Sequence, residues 1–205
     1  CVLTERGLRR ADKNRRESAG REMELNILDW FQTLHTPILD KIMTSITKLG
    51  DAGIFWIILT LLFLIIPKMR KTGIIMAAAL IMDLLICNIA VKNLAARTRP
   101  YDVNTSVQLL VAKLHDYSFP SGHTAASFAS VTALYLAGEK KLWKPALILS
   151  CLIAVSRLYL YVHYPTDVLG GMFFGILAGY VGYRLVKFLE AKLSGRKNAG
   201  KQIRR

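Results

Sequence analysis

The chain has 205 residues, 53% of them hydrophobic, and a formal charge of +14. One domain is expected at this length, and apolar residues gathered into long blocks exclude an ordinary soluble globule. The charge sits at the ends, with seven bases among residues 1–21 and eight among residues 184–205. Bases that flank apolar blocks meet anionic lipid headgroups, which argues against nucleic-acid binding.

Residues 1–24 are polar, basic and without apolar period, and are read as a disordered N-terminus or an appended remnant outside the fold. Leu25 to Leu49 carries a helical apolar stripe, interrupted by Asp29, His35, Asp40, Lys41 and Lys48 and broken or kinked by Pro37. That pattern fits either an amphipathic helix lying on a membrane or a weak first span. Five stronger apolar runs follow: Ala52 to Ile66, Thr72 to Val91, Ser121 to Ala137, Pro145 to Leu160 and Thr166 to Leu189. About 20 helical residues cross a hydrocarbon core, and shorter runs borrow interfacial residues at their ends. Lipid offers the backbone no hydrogen-bond partner, so runs of this kind form helices. The expected fold is an all-α integral membrane bundle of six transmembrane helices, five strong and a weaker first one. Residues 25–190 form the membrane-embedded domain and residues 191–205 a basic cytoplasmic tail.

The turns at Lys68–Lys71 and Lys140–Lys144 and the C-terminal tail are rich in lysine and arginine, which assigns them to the cytoplasm. Counting spans alternately then brings three polar clusters together on the outer side. The first is Lys92 with Arg99-Pro100, the second Pro120-Ser121-Gly122-His123, and the third Ser156-Arg157 with His163 and Asp167. Each lies at a helix end. Guanidinium and ammonium groups suit phosphate oxygens, and the start of a helix attracts an anion through its free N–H groups and its dipole. Two imidazoles suffice for a nucleophile and a proton donor. Residues alone leave open which histidine does which, although His163 has a carboxylate partner in its own cluster.

These clusters resemble the signature of the type 2 phosphatidic acid phosphatase family: lysine, six residues, Arg-Pro; then Pro-Ser-Gly-His; then Ser-Arg, five residues, His, three residues, Asp. The match holds at every defined position from Lys92 to Asp167 and leaves the first fifty residues uncovered. The resemblance implies a membrane lipid phosphatase in which His163 attacks phosphorus and passes through a phosphohistidine. Asp167 orients His163, and His123 is general acid and then general base. Lys92, Arg99, Ser121, Gly122 and Arg157 hold the phosphate. Phosphatidylglycerophosphate, phosphatidic acid and undecaprenyl pyrophosphate are family substrates, and the site faces the extracytoplasmic side of the cell membrane. No cofactor is expected. No metal is expected either, since three surrounding bases repel a cation. The expected partners are the lipid substrate and membrane lipids, with no nucleic acid and no obligate protein partner. The alternative is an anionic-lipid transporter or flippase, but such proteins place polar sites near the midplane on broken helices, often with internal repeats. Here the polar clusters lie at one edge and no repeat is visible.

Several further residues carry expectations. Arg97 contacts either a second phosphate or an exposed headgroup. Asp83 lies within a span, roughly 13 Å of helix rise before Lys92, and is read chiefly as a hydrogen-bonding group facing the bundle interior. Tyr101 to Phe119 reads as a connecting loop with a short interfacial helix, a lid being the alternative. Tyr159, Tyr161 and Tyr164 read as an aromatic belt. His35 and His115 are read as interfacial and loop residues. Glycines 170, 171, 175, 179 and 182 read as close helix packing.

Overall fold

The computed structural model describes residues 5–202, and the described residues are helical, with no strand among them. In chain order the helices are α1 (Glu5–Gln32), α2 (Pro37–Leu49), α3 (Ile54–Ile65), α4 (Arg70–Asp83), α5 (Lys92–Ala95), α6 (Pro100–Val103), α7 (Gly122–Leu136), α8 (Trp143–Tyr159) and α9 (Pro165–Gln202). A π-helical stretch, Leu84–Val91, carries α4 directly into α5. Steps of three and four residues along this continuous helix return to one face. Ala77, Ile81, Leu84, Asn88 and Lys92 therefore all line one cavity.

The bundle centres on α9, which packs along α7 and α4, with α3 on α4 and α8 on α7. Small residues set the spacing. A methyl group on Gly175 would lie 2.4 Å from the Ala125 carbonyl oxygen, and one on Gly182 would lie 2.6 Å from the Ala79 nitrogen. The expectation of close packing along this helix therefore holds. Trp56, Ile75, Met76, Leu134 and Ile153 fill the centre, and Trp56 Nε1 donates to Ser127 Oγ at 3.0 Å. Isoleucines and leucines on the outer faces of α3, α4 and α9 are exposed, as lipid-facing side chains are. By length and composition, Arg70–Val103 and Pro165–Ser194 are long and apolar enough to cross a membrane. Pro37–Leu49 and Asp51–Ile65, bent by 42°, form a third such stretch if taken together. α7 and α8 are shorter, at 15 and 17 residues.

A second core sits at one end of the bundle and differs from the sequence reading. Tyr159, Tyr161 and Tyr164 are buried there with Leu28, Tyr101, Leu160 and Val162 rather than lying in an aromatic belt. For Tyr159 and Tyr161 the physical reason is the pairing of their polar tips. Tyr159 donates its hydroxyl to Asp40 at 2.6 Å and Tyr161 donates to Asp29 at 2.7 Å, so both rings are buried without orphaning a polar group. Val107, Leu109 and Val111 of the 101–119 segment pack on the same core.

The described part of the first fifty residues forms two helices separated just before Pro37. The described part of the N-terminal segment is helical, because α1 runs from Glu5 through the expected boundary at residues 24 and 25. Likewise α9 runs past residue 190 to Gln202. Leu25 to Leu49 divides into the end of α1 and all of α2. Thr36 caps α2 by accepting from the Leu39 N–H at 3.3 Å, and Pro37 takes the first helical position, where it sacrifices no hydrogen bond. Both helices face the second core. Gln32 donates to the Tyr159 carbonyl at 3.1 Å, and Glu24 accepts from Thr166 Oγ1 at 2.5 Å. His35 stacks on Tyr159 with ring centroids 4.4 Å apart, which keeps it interfacial.

Candidate active site

The three polar clusters converge at the end of the bundle that carries the second core. His163 lies in the short turn between α8 and α9. That turn includes Tyr161 at φ 60, a left-handed conformation that costs a residue with a side chain roughly 1–3 kcal/mol. The Tyr161 hydroxyl, held by Asp29 and by Asn104 Nδ2 at 3.1 Å, keeps the turn in place.

His163 is 1% exposed. Its Nδ1 lies 3.6 Å from Asp167 Oδ2, and its Nε2 lies 3.4 Å from Arg99 Nη1. The carboxylate on one side selects a proton on Nδ1, and the guanidinium donors on the other select a lone pair on Nε2. The gap to Asp167 is longer than a hydrogen bond, and Nδ1 has no partner within hydrogen-bond range. Such contacts commonly tighten once substrate is bound. Burial pushes the imidazole from its ordinary 6.5 down to about 3; Asp167 pulls it upward, while Arg99 and Arg157 push it further down. The ring is therefore neutral at physiological pH.

Asp167 is itself fixed from three directions. Its Oδ2 accepts from Ser118 Oγ at 2.5 Å and from the Tyr164 N–H at 2.9 Å, and its Oδ1 accepts from Arg97 Nη1 at 2.6 Å. Arg97 also forms an ion pair with Glu24 and stacks over the Tyr164 ring at 4.0 Å. It is thus committed behind Asp167 and does not line the large cavity, so the expected second phosphate contact is not supported there.

Lys92, Arg99, Gly122, His123 and His163 line one cavity of about 800 Å³. Gly122 lets the start of α7 approach Asn88 closely, since a methyl group there would lie 2.9 Å from its Oδ1. His123 Nε2 lies 2.8 Å from Asp51 Oδ1, in the turn between α2 and α3. Arg157 opens instead onto an adjoining cavity of about 630 Å³ that shares His123. It is paired with Thr47, and its Nε has no hydrogen-bond partner. Ser121 is fully buried and does not line the large cavity. Its N–H donates to the Asp167 carbonyl at 3.0 Å and its hydroxyl accepts from Thr124 at 3.0 Å. Ser121 therefore couples α7 to α9, so the expected direct phosphate contact has no geometric support here.

The rest of the large cavity is apolar. Ile57, Leu61 and Leu64 of α3 and Ala77, Leu80 and Ile81 of α4 extend it away from the basic end. Thr60, Asn88 and Asp83 interrupt it; Asp83 is 3% exposed and its Oδ1 has no partner. Among the described residues, no three His, Cys, Asp or Glu side chains converge as a metal cluster.

Sequence reasoning did not find Asp116. It lies just before the Pro120-Ser121-Gly122-His123 cluster and bridges Lys92 and Arg99. An acid entering a basic cluster was the available signal. Asp51, Ser118 and Glu24 were missed as well, and their spacing from the motifs offers no signal.

A family model described as the PAP2 superfamily matches residues 72–190, more than half of the chain. An undecaprenyl-diphosphatase of Sulfolobus acidocaldarius is 30% identical over 147 residues, covering 72% of this chain and 70% of that protein. A phosphatidylglycerophosphatase B of Bacillus subtilis is 30% identical over 174 residues, covering 78% and 79%. The crystal structure of Aquifex aeolicus LpxE superposes with a TM-score of 0.68 at 27% identity, covering 78% of this chain and 94% of that one.

Proposed function

The chain belongs to the PAP2 superfamily of membrane lipid phosphatases, and from that premise we propose that it hydrolyses a lipid phosphomonoester or pyrophosphate through a phosphohistidine on His163. One observation carries this reading: a buried imidazole stands between Arg99 and Asp167 at the basic end of a cavity whose other end is apolar. The phosphate enters between Lys92, Arg99 and the start of α7, and the lipid tail lies along α3 and α4.

His163 Nε2 attacks phosphorus, and the bond from phosphorus to the leaving oxygen breaks. His123 protonates that oxygen, so it leaves as a hydroxyl or a protonated phosphate rather than as an oxyanion. Water then attacks the phosphohistidine, giving its proton to His123 while the N–P bond breaks. Lys92 and Arg99 balance charge on the phosphoryl oxygens, with Arg157 contributing from the adjoining cavity. Asp167, held by Ser118 and Arg97, keeps Nε2 aimed and stabilises the imidazolium that forms. Undecaprenyl pyrophosphate, phosphatidylglycerophosphate and phosphatidic acid are the candidate substrates, the first two named for the relatives. Release of inorganic phosphate from these lipids by detergent-solubilised protein tests the reading, with kcat/KM ranking them. Because the scheme draws its positive charge from side chains, turnover should survive EDTA. Abolition by EDTA with rescue by one divalent ion would overturn it.

The clusters are assigned to the extracytoplasmic face of the cell membrane, supported by the lysines at residues 68–71 and 140–144 at the other end. Five crossings fit better than six. Glu24, Asp29, Gln32 and Asp40 all contact the end of the bundle that holds the site, which supports residues 24–40 lying along that face, with α2 bending into α3. A cysteine introduced at Lys141 should resist an impermeant thiol reagent in intact cells, and one at Asp102 should react. The reverse pattern would invert the orientation.

A further inference from the structure

Asp116 stands where the proposed reaction needs an anion. Its Oδ2 pairs with Lys92 Nζ, and its Oδ1 accepts from Arg99 Nη2 at 2.5 Å. The two basic side chains are 8% and 3% exposed, whereas that of Asp116 is 50% exposed. All three residues line the large cavity beside His163. Two buried cations with no counter-ion are costly, so a site awaiting substrate requires an anion between them. Lys92 and Arg99 outweigh the burial that would raise the Asp116 carboxyl, holding it at about 2 and therefore ionised.

Arg99 does not need this carboxylate to hold its orientation. Its Nε donates to the Asp116 backbone carbonyl at 2.8 Å, its Nη1 to the Val162 carbonyl at 2.8 Å, and its Nη2 also to the Tyr117 carbonyl at 3.3 Å. The main chain can stay on Arg99 while the Asp116 side chain alone rotates away. Its half-exposed carboxylate has solvent to rotate into.

We propose that Asp116 is a specificity residue that competes with substrate for the phosphate cradle, its carboxylate occupying the place of phosphoryl oxygens between Lys92 and Arg99 until a headgroup displaces it. This rests on the reading of Lys92 and Arg99 as phosphate-binding. A monoester dianion or a pyrophosphate brings more charge than the carboxylate it displaces and gains by the exchange. A singly charged phosphodiester trades like for like. Asp116 thus favours terminal phosphates over the diester headgroups that crowd a membrane surface.

The test is the inhibition constant of orthovanadate against hydrolysis of a lipid monophosphate, measured on the full chain in detergent for wild type, Asp116→Asn and Arg99→Gln. Asp116→Asn keeps the shape and removes the charge. Vanadate should bind it about tenfold more tightly, and KM should fall more than kcat changes. Arg99→Gln should weaken vanadate binding. If Arg99→Gln weakens binding but Asp116→Asn weakens it or leaves it unchanged, Asp116 merely positions the bases and the inference fails while the cradle stands. If Arg99→Gln leaves binding unchanged, the cradle reading fails and takes the inference with it. Asp116→Ser, shorter and also uncharged, must shift the constant in the same direction as Asp116→Asn.

Discussion

Replacing His163 with alanine should abolish turnover and, with it, any covalent phosphoenzyme. The expected loss is roughly 10⁴–10⁶-fold, the range seen when the nucleophile of a covalent hydrolase is removed. Labelled phosphate trapped on protein after an acid-free quench is the decisive readout, since phosphohistidine is acid-labile. Asp167→Asn should lower kcat by about 10⁴-fold with little change in substrate binding, because it disturbs the tautomer and aim of the imidazole rather than the phosphate cradle. Arg97→Ala should act in the same direction more weakly, because Ser118 and the Tyr164 N–H still hold Asp167 Oδ2. Acid should not silence the nucleophile in the usual imidazole range. With its pKa lowered to about 3, His163 gains a proton only as the pH falls towards that value. The acid limb of kcat/KM, corrected for titration of the substrate phosphate, should therefore lie well below pH 6.5. An acid limb at 6.5 that is absent from Asp167→Asn would contradict this picture of a neutral, buried ring.

His123→Ala should be selective in what it loses. A lipid alkoxide is a poor leaving group and needs a proton, whereas a nitrophenolate departs with little help. General acid catalysis is typically worth roughly 10²–10⁴-fold, so lipid hydrolysis should fall by about that factor and nitrophenyl phosphate hydrolysis by much less. Asp51 Oδ1, 2.8 Å from His123 Nε2, fixes the orientation of that ring. Equal losses on both esters would remove His123 from the leaving-group step. Phosphoenzyme that persists in His163→Ala but vanishes in His123→Ala would mean the two histidines exchange roles.

Much of this protein was determined by local sequence. Apolar runs of near-membrane length can only be helices in lipid, so the positions of α3, α4, α7, α8 and α9 followed from hydropathy alone. Pro37 marked a break in the first helical stripe, and the spacing of Lys92, Arg99, His123, Arg157, His163 and Asp167 named candidate site residues. The course of the first fifty residues was not legible, because an amphipathic stripe with scattered charges fits a surface helix and a weak span equally well. Tertiary contact decided what it packs against, through the Asp29 and Asp40 carboxylates that receive Tyr161 and Tyr159. Those same hydrogen bonds draw Tyr159 and Tyr161 from an expected aromatic belt into a buried core, since a buried tyrosine hydroxyl usually needs a partner. Arg97, Ser121 and Asp116 show the same limit. Their residue types say what they can bind, but whether Arg97 meets a phosphate or Asp167, whether Ser121 meets substrate or Thr124, and whether Asp116 faces water or two buried cations depend on which helices the fold brings together. Helix periodicity carries no information about partners tens of residues away, and only the packed bundle supplies it.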